Sequence, residues 1–209
     1  LLATSLVHAE LTNSHQIIRL VSSLGQDLAD GELLQLSNVS NHSFSETVYF
    51  DVIRKKTAAL FAACTEAAAY SVGVSEEEVK LARLLGEYIG ICFQIKDDIF
   101  DYFDSKEIGK PTGNDMLEGK LTLPVLYALN RANDNQAAEI ALKVKEGTAT
   151  LAEIARLIAF TKENGGIEYA VRTMNAYKQK AFGLLASLPD SAICVALRSY
   201  LDYVVDREK

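Results

Sequence analysis

The sequence has little of what marks disulfide-rich or zinc-binding proteins. Its 209 residues include three cysteines, three histidines, three prolines and no tryptophan. Cys64, Cys92 and Cys194 lie far apart in apolar surroundings and form no CxxC pair. They are therefore predicted to be reduced residues of the protein core. The histidines do not have HExxH spacing, so no zinc site is expected.

Long hydrophobic runs and an excess of positive charge are also missing. No stretch of eighteen uncharged apolar residues occurs, so no integral membrane segment is predicted. The net charge of −7 argues against a nucleic-acid-binding protein, which usually carries a basic face. We expect a cytoplasmic protein without a nucleic-acid partner. Anionic substrates stay compatible with this charge, because a bound cation can reverse the local sign.

The start of the chain is unusual for a complete protein. Residue 1 is leucine rather than methionine, and residues 1–7 are typical of the interior of an apolar helix. No basic region precedes this apolar stretch, so a signal peptide is not predicted. We expect that residues 1–209 form a single domain that was cut from a longer protein.

Helical periodicity extends over nearly the whole sequence, which predicts the all-α class. Ser45 is the expected N-cap of one helix, and Ser75 and Thr150 each begin a capping-box pattern. Gly73 is expected to end the helix that Ser45 begins. The predicted helices span approximately 1–11, 14–37, 45–72, 75–104, 121–131, 135–145, 150–164, 167–188 and 190–206.

The most informative feature of the sequence is a strip of acidic residues in an otherwise apolar helix. Residues 88–96 are apolar on nearly every side, which predicts a buried helix. At about 100° per residue, Asp97, Asp101 and Asp104 share a narrow sector beside Gln94, and Asp98 lies at its edge. Clustered buried carboxylates repel one another unless a cation neutralises them, and oxygen ligands of this kind suit Mg²⁺. A solvated acidic helix end is the alternative interpretation.

The loop that follows the acidic strip contains lysines and glycines. Residues 108–120 include three glycines and two lysines, Lys110 and Lys120. Glycines allow a loop to close over a ligand, and lysines neutralise phosphate charge. The pattern is not a P-loop, because GxxxxGK[ST] is not matched and no strand precedes it. An ordinary surface loop is the alternative.

A third segment places cations before an alanine-rich helix. Residues 54–56 are Arg-Lys-Lys, and Thr57 follows them. One interpretation is a charged helix start. The other is that Lys56 and Thr57 face a pocket that holds an anion.

These three segments, in this order, resemble the trans-isoprenyl diphosphate synthases, or polyprenyl synthetases. Residues 90–101 look like the family's second aspartate-rich motif, and residues 109–124 look like its closing loop. Residues 54–61 look like its Lys-Thr diphosphate-binding segment. Residues 31–36 look like the helix that lines its product tunnel. The similarity extends over essentially the whole chain.

The resemblance implies an antiparallel helical bundle around a deep cavity, and a homodimer. It implies a prenyltransferase that extends an allylic diphosphate (geranyl, farnesyl or geranylgeranyl) with isopentenyl diphosphate. Mg²⁺ would be bound against the allylic diphosphate by three carboxylates: Asp97, Asp98 and Asp101. Three lysines would contact the phosphates: Lys56, Lys110 and Lys120. Thr57 and Gln94 would support the reacting tail, and Asp115 would order the closing loop.

The family's first aspartate-rich motif has no counterpart in residues 1–209, so this chain alone is expected to be inactive. Two alternatives stay open: a non-catalytic prenyltransferase-like subunit, and a terpene cyclase of the same fold. The segment 31–36, together with the lack of bulky aromatic residues near 58–69, favours a medium or long product chain.

Overall fold

The computed structural model describes residues 2–39, 41, 43–103 and 112–207. In these ranges all regular structure is helical, which confirms the predicted all-α bundle. The first half contains α1 (Leu2–Leu11), α2 (His15–Val39), α3 (Glu46–Ile53), a π-helical turn (Arg54–Ala58), α4 (Ala59–Ser71) and α5 (Glu76–Phe100). The second half contains α6 (Asn114–Leu117), α7 (Leu123–Ala132), α8 (Asn135–Lys145), α9 (Leu151–Glu163), α10 (Gly166–Ala186) and α11 (Ala192–Asp206).

The predicted N-caps at Ser45, Ser75 and Thr150 and the predicted stop at Gly73 are confirmed. Ser45 accepts a hydrogen bond from the backbone N–H of Val48 at the start of α3. Ser75 and Thr150 each form a complete capping box, with both reciprocal hydrogen bonds present. Such caps satisfy backbone N–H groups that the helix itself leaves unpaired. Gly73 has a φ of +69° directly after α4, a conformation that glycine adopts without strain.

Two predicted helix boundaries were wrong. The helix predicted at 45–72 is interrupted by the π-helical turn, which inserts an irregularity that local propensity does not reveal. The helix predicted to reach residue 104 ends at Phe100, and Asp101 acts as its C-cap. The predicted Asp104 lies outside the described residues, as does Lys110.

Helix α5 forms the centre of the bundle, as its all-round apolar character predicts. It packs against α4, α10, α11 and the π-helical turn. Ile91, Cys92 and Ile95 are completely buried, and full burial of one such aliphatic side chain contributes roughly 1.5–3 kcal/mol. A Cβ added at Gly90 would lie only 2.5 Å from Cα of Ala58. Glycine at this position therefore allows α5 to approach the π-helical turn, and this contact places the acidic strip.

The prediction that all three cysteines belong to the core was wrong for one of them. Cys92 and Cys194 are buried, but Cys64 is exposed. Cys64 lies on the face of α4 opposite to the buried Ala62 and Ala63. None of the helices in the described part of the chain has both the length and the apolar character that crossing a bilayer requires.

Candidate active site

One cavity collects most of the residues that the sequence singles out. It measures about 190 Å³ and lies between α2, α3, α5 and the segment from α6 to α8. Six of the predicted site residues line it: Lys56, Thr57, Gln94, Asp98, Asp115 and Lys120. The structure therefore brings together residues that are up to 64 positions apart in the sequence.

Asp98 is the acid of the strip that faces this cavity. Its residue surface is 3% exposed. The hydroxyl of Tyr49 donates to Oδ2 at 2.6 Å, and the amide of Gln94 donates to Oδ1 at 2.8 Å. Gln94 in turn accepts a hydrogen bond from Thr57 Oγ1 at 2.7 Å. The four side chains form one hydrogen-bonded row that fixes the orientation of the carboxylate.

The electrostatics of the cavity disfavour two uncompensated carboxylates. Burial and the charge of Asp115 raise the pKa of Asp98 to about 8, although its hydrogen bonds from Tyr49 and Gln94 act in the opposite direction. Burial and the charge of Asp101 raise the pKa of Asp115 to about 6, against the lowering effect of Lys120. A cation placed between Asp98 and Asp115 would favour the charged form of both acids and so act against both pKa shifts.

The π-helical turn places Lys56 and Thr57 in the cavity lining. Lys56 Nζ donates to Gln35 Oε1 at 2.6 Å and forms an ion pair with Glu32. A Cβ on Gly31 would lie 2.8 Å from Cγ of Lys56, so glycine lets α2 come close to this lysine stem. Lys56 and Thr57 both line the cavity, and the interpretation that this cavity holds an anion stays a prediction.

The segment that follows the acidic strip contributes residues to the same cavity. Asp115 and Lys120 line the cavity, and Lys120 pairs with Glu118. Asp101 lies outside the lining, and its carboxylate accepts the backbone N–H groups of Asn114 and Asp115 at 3.0 and 3.1 Å. Asp101 therefore anchors the segment that carries Asp115, whereas the resemblance implies that Asp115 orders the closing loop.

Asp97 does not line the cavity. Its side chain is 43% exposed and forms an ion pair with the guanidinium of Arg207. Arg207 also donates to the carbonyl oxygen of Phe93 at 3.2 Å, and its guanidinium carbon lies 4.2 Å from the centre of the Phe93 ring. The structure thus brings Asp98 to the cavity, but neither Asp97 nor Asp101.

The residues at the cavity fit a hard divalent cation. Mg²⁺ is typically bound by one or two carboxylates together with waters and substrate phosphate oxygens, and Asp98 and Asp115 supply that number. Over residues 2–39, 41, 43–103 and 112–207, no group of three or more histidine, cysteine or carboxylate side chains converges as a metal site. The predicted binding of Mg²⁺ by Asp97, Asp98 and Asp101 together stays a prediction.

Sequence reasoning missed three residues that shape the site. Tyr49 binds Asp98 from α3, Arg207 pairs with Asp97 from the end of α11, and Lys145 lines the cavity from α8. Tyr49 and Lys145 lie within ordinary helical segments, and no sequence motif marks either of them as a site residue. Arg207 lies 110 positions from its partner, and no local pattern links such distant residues.

Comparison with known proteins gives a consistent result. The family model described as "Polyprenyl synthetase" matches residues 1–161. The octaprenyl diphosphate synthase of Haemophilus influenzae is 36% identical over 93% of this chain and 59% of its own length. Component 2 of the heptaprenyl diphosphate synthase of Geobacillus stearothermophilus is 34% identical over 96% of this chain and 61% of its own length.

A solved structure of the same type is much more similar. The crystal structure of a geranylgeranyl pyrophosphate synthase from Bacteroides thetaiotaomicron is 80% identical, with a TM-score of 0.95 over 98% of this chain and 68% of that one. The chain spans about 60% of the length of the two curated relatives. With the family model matched over residues 1–161 and this fold shared, the chain belongs to the polyprenyl synthetase family.

Proposed function

We propose that the protein containing this chain is a Mg²⁺-dependent trans-polyprenyl diphosphate synthase. It joins isopentenyl diphosphate head-to-tail to an allylic diphosphate by ionisation, condensation and proton loss. One observation carries the proposal: the buried Asp98 carboxylate faces a cavity that Lys56 and Lys120 also line. Burying a carboxylate without a cation costs several kcal/mol, about as much as breaking a buried ion pair. The arrangement therefore destabilises the empty protein and is better explained by the binding of a cationic ligand.

The lysines at the cavity have a direct electrostatic role in this reaction. Cleavage of the allylic carbon–oxygen bond leaves negative charge on the departing diphosphate, and Lys56 and Lys120 stabilise that charge. Each lysine is now paired with a carboxylate, Glu32 or Glu118, so a diphosphate must compete with an existing ion pair. A bound Mg²⁺ would act as a Lewis acid on the same leaving group.

The hydrogen-bonded row keeps the polar side of the cavity in one arrangement. Thr57 donates to Gln94, and Gln94 donates to Asp98. These contacts leave the carboxylate of Asp98 oriented before a ligand arrives, which lowers the cost of reorganisation during the reaction. Thr57 and Gln94 are proposed to lie beside the reacting end of the allylic chain. The metal ligands are proposed to be Asp97, Asp98 and Asp101, of which Asp98 lines the cavity and the other two would exchange their present partners for the metal.

We propose that the full synthase activity belongs to a longer protein of which residues 1–209 are a part. The curated relatives extend well beyond the part that this chain matches, and residues 1–209 contain one acidic DDxxD strip. Residues 1–209 are proposed to form one domain that is inactive alone. A cytoplasmic homodimer is the proposed assembly, and the word "component" in the name of the Geobacillus relative makes a heteromeric enzyme the alternative.

The length of the product is the least constrained part of the proposal. The sequence favours a medium or long chain, and the Haemophilus relative is named for an octaprenyl product. The solved structure with 80% identity is named for a geranylgeranyl product. Because the second protein is far more similar, a product of geranylgeranyl length is the leading alternative to a longer one.

The test uses the full-length protein with isopentenyl diphosphate and geranyl, farnesyl or geranylgeranyl diphosphate. We expect elongated products whose masses define the chain length, and loss of turnover when a chelator removes Mg²⁺. Product formation from an allylic diphosphate alone would support the terpene cyclase. Mg²⁺-dependent diphosphate binding without turnover in any of these mixtures would support the non-catalytic subunit.

A further inference from the structure

Lys145 is a buried lysine at the end of α8 with an unusual set of partners. The residue is 7% exposed. Its Nζ lies 2.7 Å from the carbonyl oxygen of Asn38, 2.9 Å from that of Asn41 and 2.8 Å from that of Ser43. The side-chain oxygen of Asn41 lies at 3.1 Å. The ammonium is thus surrounded by neutral oxygens, and burial lowers the pKa of Lys145.

These contacts leave Lys145 unsuited to binding a phosphate. An ammonium group has three N–H donors, and the four oxygens around Nζ use all of them. A phosphate could gain a hydrogen bond from Lys145 only if one of the present bonds broke. Lys56 and Lys120 differ, because each meets flexible side-chain acceptors, Gln35 and Glu32 in one case and Glu118 in the other.

The oxygens that Lys145 binds belong to the end of α2 and to the connection that leads to α3. The last carbonyl groups of a helix lack internal partners, and the helix dipole favours a cation at this end. Helix α2 has no basic residue of its own in its last turn. Lys145 supplies this cation from α8, through the carbonyl of Asn38.

The end of α2 also carries the hydrogen-bond partner of Lys56, one of the lysines that line the cavity. Gln35, one turn before Asn38, accepts the hydrogen bond from Lys56 Nζ at 2.6 Å. Gln35, Asn38 and Val39 line the same cavity as Asp98. A shift of the last turn of α2 would therefore displace the partner of Lys56 and one wall of the cavity.

We propose that Lys145 is a positioning residue: by capping α2 and fixing the connection to α3, it places Gln35, and with it Lys56, at the diphosphate site. This inference rests on the proposed function, because it concerns the same cavity. Lys145 itself makes no contact with the substrate.

The test compares Lys145→Met with Lys143→Met in the full-length protein. Methionine has nearly the length of lysine but no donor, so it removes the cap while keeping most of the volume. Lys143 lies on the same helix and pairs with Glu153 at 2.7 Å, outside the cavity lining. We expect Lys145→Met to increase amide hydrogen exchange in the peptide that spans 38–45, and Lys143→Met to leave it unchanged.

Steady-state kinetics distinguish a role of Lys145 in positioning the site from a role in stability alone. For Lys145→Met we expect the KM for the allylic diphosphate to rise about tenfold, which corresponds to about 1.4 kcal/mol. We expect kcat to fall as well, because Lys56 also stabilises the charge on the departing diphosphate. Lys145→Arg keeps a cation and is expected to restore part of the affinity. It is also the variant to measure if Lys145→Met does not fold.

Three results would overturn the inference. Unchanged exchange over 38–45 in Lys145→Met would show that the cap does not fix α2. Faster exchange with an unchanged KM would show that Lys145 serves stability only. Wild-type exchange with a collapse of kcat would identify Lys145 as a direct ligand. If the wild-type protein does not bind a diphosphate at all, the proposed function fails, and the exchange experiment still tests the cap.

Discussion

The hydroxyl of Tyr49 donates a 2.6 Å hydrogen bond to Oδ2 of Asp98, although the two residues are 49 positions apart. Gln94 occupies the other carboxylate oxygen from one turn earlier on α5. Together these donors keep a buried acid in a defined orientation at the cavity wall. This contact between α3 and α5 distinguishes Asp98 from the other acids of the strip.

Asp98→Asn is expected to lower kcat of the full-length enzyme by roughly 100-fold or more, because it removes a negative charge that would hold the cation, and the diphosphate is bound through that cation. The fold should persist, since asparagine keeps the shape and an acceptor for Tyr49. Steady-state turnover and circular dichroism check both statements. Asp51→Asn is the matched control, because the Asp51 side chain is 50% exposed on α3 and does not line the cavity. Near-normal turnover of Asp98→Asn would contradict the proposed site.

Asp97→Ala is expected to abolish turnover if Asp97 is a metal ligand, despite its present contact with Arg207. Arg207→Met removes that contact and leaves the carboxylate in place. Because a partly exposed ion pair contributes little by itself, we expect Arg207→Met to keep kcat within about tenfold of wild type. Titration of activity with Mg²⁺ separates the two variants. Equal losses in both would mean that Asp97 serves to bind Arg207 and not the metal.

Gly90→Ala is expected to destabilise the protein by about 1–3 kcal/mol or more, as overpacking does in a filled core. The added Cβ would meet Cα of Ala58 at 2.5 Å, where backbone must move. Gly183→Ala on α10 is the control, because a Cβ there meets nothing within 4 Å. This control should gain about 0.5–1 kcal/mol from helix propensity. Urea denaturation measures both, and equal stabilities would contradict the close helix contact.

The capping box of α9 predicts a dependence of stability on pH. The hydrogen bond from Lys143 and the bonds from Thr150 lower the pKa of Glu153 to about 2, against roughly 4.3 in an unfolded chain. A lowered pKa means that the unfolded chain takes up the proton first as the pH falls. The contribution of Glu153 is therefore fully present above the unfolded pKa and is lost as the pH falls towards 2.

Comparison of wild type with Glu153→Gln at several pH values tests this linkage. The difference in the free energy of unfolding should be constant at neutral pH and shrink as the pH falls from 5 to 3. Lys143→Met should retain part of the pH dependence, because the bonds from Thr150 persist. A difference between wild type and Glu153→Gln that does not change over this range would contradict the lowered pKa.

Much of the architecture was predictable because it depends on close neighbours in the chain. The caps at Ser45, Ser75 and Thr150 follow from contacts within three residues. The burial of α5 follows from apolar side chains on all its faces. The π-helical turn was not predictable from the local sequence; in the structure Gly90 and Gly31 approach it closely from two other helices. The exposure of Cys64 was missed for a similar reason: an alanine-rich helix gives no clear sign of which face is buried.

The sequence by itself determined the helical class, the helix caps and most of the charged residues that meet at the cavity. Only the tertiary structure decided which of them face it. A helical projection groups Asp97 with Asp101 and puts Asp98 at the edge of their sector, yet Asp98 is the one that lines the cavity. Each of the three has a different partner: Arg207 for Asp97, Tyr49 for Asp98 and the backbone of residues 114–115 for Asp101. These partners come from distant parts of the chain, and their positions result from packing the whole core and not from local periodicity.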